Sequence, residues 1–160
     1  MDYYLMLKWF HIIAAIIVTG TGAGIAFFML MAYRSGNWQA IAVTARHVVL
    51  ADWLFTTPSI VVQIVTGVLL MSHLGWAFNS QWFIAVLVLY AVVAFSWLTV
   101  VKIQYQLRKL SAEVIAGRST DDTESSFKSL MRGWTLLGVV AFTTILVIVG
   151  LMVFKPLPLT

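Results

Sequence analysis

LMLKWFHIIAAIIVTGTGAGIAFFMLMAY, residues 5–33, decides what kind of protein this is. A helix rises about 1.5 Å per residue, so roughly 20 apolar residues cross the hydrocarbon core of a bilayer, and this run is longer than that. It carries one ionisable group well inside its apolar part, His11. Lys8 stands one turn before it, and the small-residue run Thr19-Gly20-Thr21-Gly22-Ala23-Gly24 follows. Lipid cannot solvate an ionisable side chain, so a histidine within a span is by default a functional site. What His11 faces is the question the rest of the chain has to answer.

Working outward, three further segments have the same character, about residues 48–71, 82–101 and 134–154. The 160 residues are 61% hydrophobic and 10% charged, whereas a soluble domain is about a quarter charged. The expected fold is all-α: one domain over residues 1–160, a transmembrane four-helix bundle of antiparallel neighbours. Arg34-Ser35-Gly36-Asn37 reads as a turn, and Trp38–His47 as a short amphipathic lead-in to the second span. The polar region 102–132 divides into a helical extension, Lys102–Ala116, and a Gly/Ser/Asp-rich loop. Lys155-Pro156-Leu157-Pro158 should stop the last helix, since proline cannot continue it. Trp38, Trp76, Trp82 and Trp134 sit near span ends, where an indole lies at the headgroup level, while Trp97 falls inside the third span.

Charge sets the expected topology. The first connection carries Arg34 and Arg46, the third carries Lys102, Arg108, Lys109, Arg118, Lys128 and Arg132, and the second has neither lysine nor arginine. The positive-inside rule then puts the first and third connections in the cytoplasm and both termini on the outer, periplasmic side. Orientation explains the net charge of +4 better than nucleic-acid binding does, and no nucleic-acid partner is expected. The N-terminus has Asp2 in place of a basic n-region, and its apolar run is too long for a signal-peptide core, so it reads as a retained span. The absence of cysteine excludes a disulfide framework, a thiolate metal site and a cysteine nucleophile.

In the second span Asp52, Thr56, Ser59, Gln63 and Thr66 recur at steps of four, three, four and three, which places them on one helical face, and His73 continues the phase. Such a stripe should face other helices, because unsatisfied polar groups in hydrocarbon are costly. Interhelical hydrogen bonding is its plain interpretation. For Asp52 the plain interpretation is an ion pair with Arg46 at the interface, and proton transfer is the sharper one. Pro58 is expected to kink the helix and free a carbonyl near Leu54.

In the first span Tyr4, Lys8, His11, Ala15, Val18 and Gly22 share a face, and Gly20 and Gly24 form a GxxxG pair whose plain meaning is tight helix packing. His11 lies roughly 9 Å below the outer end of its helix at 1.5 Å per residue. The same level falls at about Gln63–Thr66 in the second helix and about Leu87–Tyr90 in the third. A cluster of His11, Gln63, Thr66 and Tyr90 follows. A neutral imidazole on a small-residue face suits the iron of haem, and equally suits a hydrogen bond to a neighbouring helix. There is no HExxH, no paired acidic metal motif and no Ser-His-Asp order to suggest hydrolysis.

LKWFHIIAA at 7–15, ADWLFTTPSIVVQIVTGVLLM at 51–71, with Pro58 and Gly67, and FKSLMRGWTLLGVV leading to VGLMVFKPL at the end resemble the HemJ-type protoporphyrinogen oxidases, small four-span bacterial membrane proteins. The resemblance implies haem b bound through His11 as metal ligand. Where that family carries a lysine and a later histidine in its third helix, this chain has Val86 and Trp97. The chain is more similar still to a sister group of predicted four-span integral membrane proteins, through the LxWxHxxAA opening and Ala45-Arg46, Val48-Val49, Ala51-Asp52-Trp53, Phe55-Thr56 and Pro58.

The resulting expectation is a multi-pass protein of the bacterial inner membrane that binds haem b through His11 and has a redox or electron-transfer role. Gln63, Thr66, Tyr90 and Trp97 would shape the cofactor pocket. Its expected partners are the lipid bilayer, a porphyrin or quinone-like small molecule, and a second copy of the chain. With no second histidine in register, the iron would be five-coordinate, water-bound or bridged by His11 of another copy. The alternative is a non-enzymatic small transporter, channel or accessory membrane subunit whose stripe Asp52–Thr66 lines a pathway or docks a partner.

Overall fold

A computed structural model describes residues 2–120 and 122–155 of the chain, and among them it is helical with no strand. Helix α1 spans Tyr3–Arg34, capped by Asp2, whose carboxylate accepts from the Tyr4 N–H at 3.1 Å. It ends in the turn expected at 34–37. Gly36 there adopts φ +65, a left-handed conformation that glycine enters without steric cost. Asn37 Oδ1 then caps α2, Trp38–Ala51, by accepting from the Gln39 and Ala40 N–H groups at 2.9 and 3.2 Å.

The lead-in and the second span prove to be one continuous helix of 37 residues, Trp38–Leu74. Between α2 and α3 (Thr57–Leu74) lies a π-helical turn, Asp52–Thr56. Pro58 has no N–H for the carbonyl four residues back, and the chain meets this by widening the preceding turn. The Thr57 N–H and hydroxyl both donate to the Asp52 carbonyl, the hydroxyl at 2.9 Å. The kink expected at Pro58 is thus a π-turn just before it.

Helix α4 is Gln81–Ile115, capped by Ser80, and it includes the extension expected over 102–116. Helix α5 runs Thr123–Phe154, so the residues before Trp134 expected to be loop are helical from Thr123. Composition hid the periodicity there. Phe127, Met131 and Trp134 recur at steps of four and three and are all buried, and Glu124 pairs with Lys128 at 2.6 Å one turn apart. The Pro156–Pro158 stop lies outside the described residues.

Four helical stretches, α1, α2 through α3, α4 and α5, are each long and apolar enough to cross a membrane. In the most apolar window of α5 no residue is buried, and Phe27, Phe28, Phe95, Leu136 and Val153 are exposed. Only a bilayer solvates such a surface.

The core is split into two clusters. One joins Met29 and Ala32 of α1, Ala45 of α2, Leu107 of α4 and Phe127 and Trp134 of α5. The other joins Met71 at the end of α3 with Trp82 and Val86 of α4, against Leu151 of α5. Trp82 and Trp134, two of the tryptophans near span ends, are buried against neighbouring helices. The Trp82 indole donates to the Leu151 carbonyl at 2.9 Å. Between the clusters α4 packs closely on α5, while the α3 backbone packs on α1 and on neither α4 nor α5. The buried polar residues of the spans, Asp52, Thr56, Ser59, Thr66 and Ser96, belong to this middle layer.

Candidate functional site

The stripe read from the second span faces inward. Asp52, Thr56, Ser59 and Thr66 are buried and Gln63 is half-buried, whereas Trp53, Leu54, Phe55, Val61, Ile64 and Val65 between them are exposed. The four- and three-residue spacing survives the π-turn, and the cost of polar groups in hydrocarbon explains which side turns in.

His11, Gln63 and Thr66 come together as expected. Both ring nitrogens of His11 meet α3, Nδ1 at 2.9 Å from Thr66 Oγ1 and Nε2 at 2.8 Å from Gln63 Nε2. The proton positions follow from a third contact. Thr66 Oγ1 lies 2.6 Å from the Val62 carbonyl oxygen, so its single proton is donated there. Its lone pairs then face His11, and Nδ1 must be the donor. Nε2 is left with a lone pair, which accepts from the Gln63 amide N–H. The chain Gln63 to His11 to Thr66 to Val62 is consistent at every link, and it fixes one tautomer.

The ring sits in a notch made by Gly67. A Cβ added there would lie 3.3 Å from His11 Cε1 and 3.9 Å from Nδ1. The glycines of the first span play no such role. At Gly20, Gly22 and Gly24 an added Cβ would meet nothing within 4 Å, so the GxxxG pair does not mediate tight packing within the chain. On α1 the face toward α3 is Leu7, His11 and Ala14 rather than the Lys8 line, and Lys8 is exposed with its ammonium 5.7 Å from the Tyr4 ring centre.

The remaining expected residues are not brought to His11. Tyr90 and Trp97 are half-buried on α4 without a hydrogen bond to the cluster, and Trp97 Nε1 is buried with no partner. Asp52 forms no ion pair with Arg46. Arg46 is exposed, and the ion pairs among the described residues are Lys109–Glu113 and Lys128–Glu124. His73 is exposed at the end of α3, stacked on Tyr4 at 6.0 Å and edge-on to Tyr3 at 5.6 Å. Gly67 entered the sequence reading only through the family resemblance and without a role toward His11; its signal was its place four residues after Gln63. Sequence reading missed the pairing of the exposed Trp53 indole, which donates to Tyr105 OH at 2.7 Å.

The chemistry of this donor set can be tested against haem, which the sequence resemblance implies. An imidazole that ligates iron through Nε2 has its Nδ1–H held by an acceptor, which is the tautomer that Thr66 imposes. Nε2 already has a partner, so the Gln63 amide is the group an iron would displace, and Gln63 Oε1 is itself buried without a partner. The residues fit a single axial ligand, conditional on rotation of Gln63. No group of three or more His, Cys, Asp or Glu side chains converges among the described residues.

The profile of a family described as "Predicted integral membrane protein (DUF2269)" matches residues 5–156, nearly the whole chain. No curated protein and no solved structure matches.

Proposed function

We propose that this chain, which belongs to the DUF2269 family of integral membrane proteins, is a haem-b-binding redox protein that uses His11 Nε2 as its axial ligand. The observation that carries the reading is the fixed tautomer, with Nδ1–H on Thr66 and the lone pair on Nε2. Haem would supply one-electron chemistry at iron. The chain's own part is to hold the imidazole: Thr66 orients it, Gly67 gives it room, and Gln63 covers Nε2 when no iron is bound. Tyr90 and Trp97, two helical turns apart on α4, would line the face of a porphyrin or quinone-like molecule in the middle layer. The kinship with HemJ-type oxidases and the bacterial inner-membrane location belong to the same proposal. So does the antiparallel arrangement with both termini outward, supported by the pairings Tyr4–His73 and His11–Thr66 and by the lysine-free second connection. The test is the visible spectrum of protein purified after haem-replete expression. A Soret band lost in His11→Ala is expected, and a colourless wild-type protein would sink the reading.

A second reading, a non-enzymatic transporter, channel or accessory subunit, is favoured by a separate observation. Asp52 Oδ2, Thr56 Oγ1 and Gln63 Oε1, all on the inward stripe, are buried without hydrogen-bond partners. Buried polar atoms are normally paired, so a row of unpaired oxygens marks a path or a site for something that pairs them. Asp52→Asn should abolish transport or recovery of a partner while the protein stays folded. Unchanged transport would reduce Asp52 to a structural residue.

A further inference from the structure

Trp53 and Tyr105 meet across two helices in a bond that neither the haem reading nor the pathway reading uses. The Trp53 indole, on the π-turn, donates to the Tyr105 hydroxyl of α4 at 2.7 Å. Trp53 is 59% and Tyr105 41% exposed, so this is a corner of the surface and not core. A third group joins it. The Arg108 guanidinium, one turn further along α4, stands over the Tyr105 ring, 5.7 Å from its centre, which is within the range of a cation–π contact. Each of the three side chains is thus placed by contact with another.

These contacts use part of the polar capacity of the corner and leave the rest free. The phenol accepts the indole N–H and keeps its own proton, for which there is no acceptor among the described residues. The guanidinium carries five N–H donors, and Arg108 forms no ion pair among the described residues. Three and four residues from it stand Gln104, Tyr105, Ser111 and Ala112, so its own helix offers it no carboxylate. Lys109, by contrast, is paired with Glu113 at 3.9 Å. A phenol O–H beside a stacked guanidinium is a donor set for a phosphate group.

Position decides which phosphate. Lys102, the first charged residue after the apolar run of α4, lies one turn before Tyr105. The corner is therefore at the level where the hydrocarbon ends, on the side of the basic connections. On its hydrocarbon side Leu98, two turns from Tyr105 on the same helical face, and Leu54, next after Trp53, are exposed. Donors at the boundary next to exposed leucines suit a phosphate that carries acyl chains, not a soluble ion.

We propose that Trp53, Tyr105 and Arg108 form a binding site for the headgroup phosphate of an anionic phospholipid, in the leaflet beside the first and third connections. Trp53 positions the Tyr105 hydroxyl, Tyr105 donates one hydrogen bond, and Arg108 supplies the charge and the paired donors. The site requires neither haem nor a pathway.

In the experiment the full chain in neutral-detergent micelles is titrated with phosphatidylglycerol or phosphatidylcholine, and bound lipid is counted by native mass spectrometry. Wild type should hold one phosphatidylglycerol about tenfold or more tighter than phosphatidylcholine, the worth of a charge-assisted hydrogen bond. Two variants keep the net charge, at exposed positions where the fold is not at stake. Tyr105→Phe removes only the hydroxyl and should weaken phosphatidylglycerol roughly fivefold. Arg108→Lys keeps a cation without the planar fork and should remove most of the preference. Equal binding of the two lipids by wild type overturns the proposal. A preference unchanged in either variant also overturns it, since that marks general attraction of anionic lipid to the basic connections. So does displacement of the lipid by inorganic phosphate at comparable concentration, which would make the corner a site for a soluble anion.

Discussion

The His11 imidazole of α1 packs over Gly67 of α3: a methyl group added at residue 67 would stand 3.3 Å from the ring's Cε1. Gly67→Ala asks the ring to give by a few tenths of an ångström, offset by the better helix propensity of alanine, so a net change within about 1 kcal/mol is expected. Gly67→Leu cannot be absorbed and should lower stability by roughly 1–3 kcal/mol, the cost of overpacking. Unfolding of the two variants in mixed micelles separates them. Equal stability of Gly67→Leu and wild type would mean that the ring does not occupy the notch.

Thr66→Val keeps the shape and removes the acceptor for His11 Nδ1–H. A buried interhelical hydrogen bond of this kind is worth about 0.6–1.7 kcal/mol in a membrane, and a loss of that size is expected. Haem affinity should fall by roughly 10–100-fold, because the tautomer is no longer imposed. Gln63→Leu should leave haem affinity equal or improved, since it removes the group that competes for Nε2. Titration of haem into the apoprotein checks both, and a loss in Gln63→Leu as large as that in Thr66→Val contradicts the assigned roles.

The glycines of α1 lack the contact that Gly67 makes. Nothing lies within 4 Å of a Cβ added at Gly20 or Gly24. Alanine at either position should therefore stabilise the helix, by up to about 1 kcal/mol from propensity alone. A loss of stability or of self-association in Gly20→Ala would place that face against a second copy.

Trp82 anchors the second core cluster by donating to the Leu151 carbonyl. Trp82→Phe keeps most of the apolar burial and removes this hydrogen bond, while the carbonyl retains the Lys155 N–H, so a cost of at most about 1 kcal/mol is expected. Trp53→Phe breaks a bond made at the exposed surface, to Tyr105, and should cost less. Denaturation of the pair ranks them, and a larger effect for Trp53 would put the second cluster in question.

The lack of cysteine makes topology directly measurable. A single cysteine at Asn79, in the connection without lysine or arginine, should react with an impermeant thiol reagent added outside cells. One at Asn37 or Ser119 should react only after permeabilisation. The reverse pattern would invert the orientation.

Hydropathy and period, which are local properties, made four spans and one inward polar stripe legible in the sequence: the cost of a polar atom in hydrocarbon is the same whatever stands opposite, so Asp52, Thr56, Ser59, Gln63 and Thr66 had to turn toward protein. Depth along the helices even matched His11 to Gln63 and Thr66. What depends on the partner helix was not legible. Gly67 and not Gly20 or Gly24 makes the close approach, because only the ring opposite decides which glycine is needed. Thr123–Gly133 is helical because Phe127 and Met131 have a core to enter. Asp52 faces the bundle without Arg46 because the π-turn and the packing of α2 on α4 set where its carboxylate ends. Even the proton on His11 was decided by tertiary structure, through a threonine 55 residues away whose own proton is held by Val62.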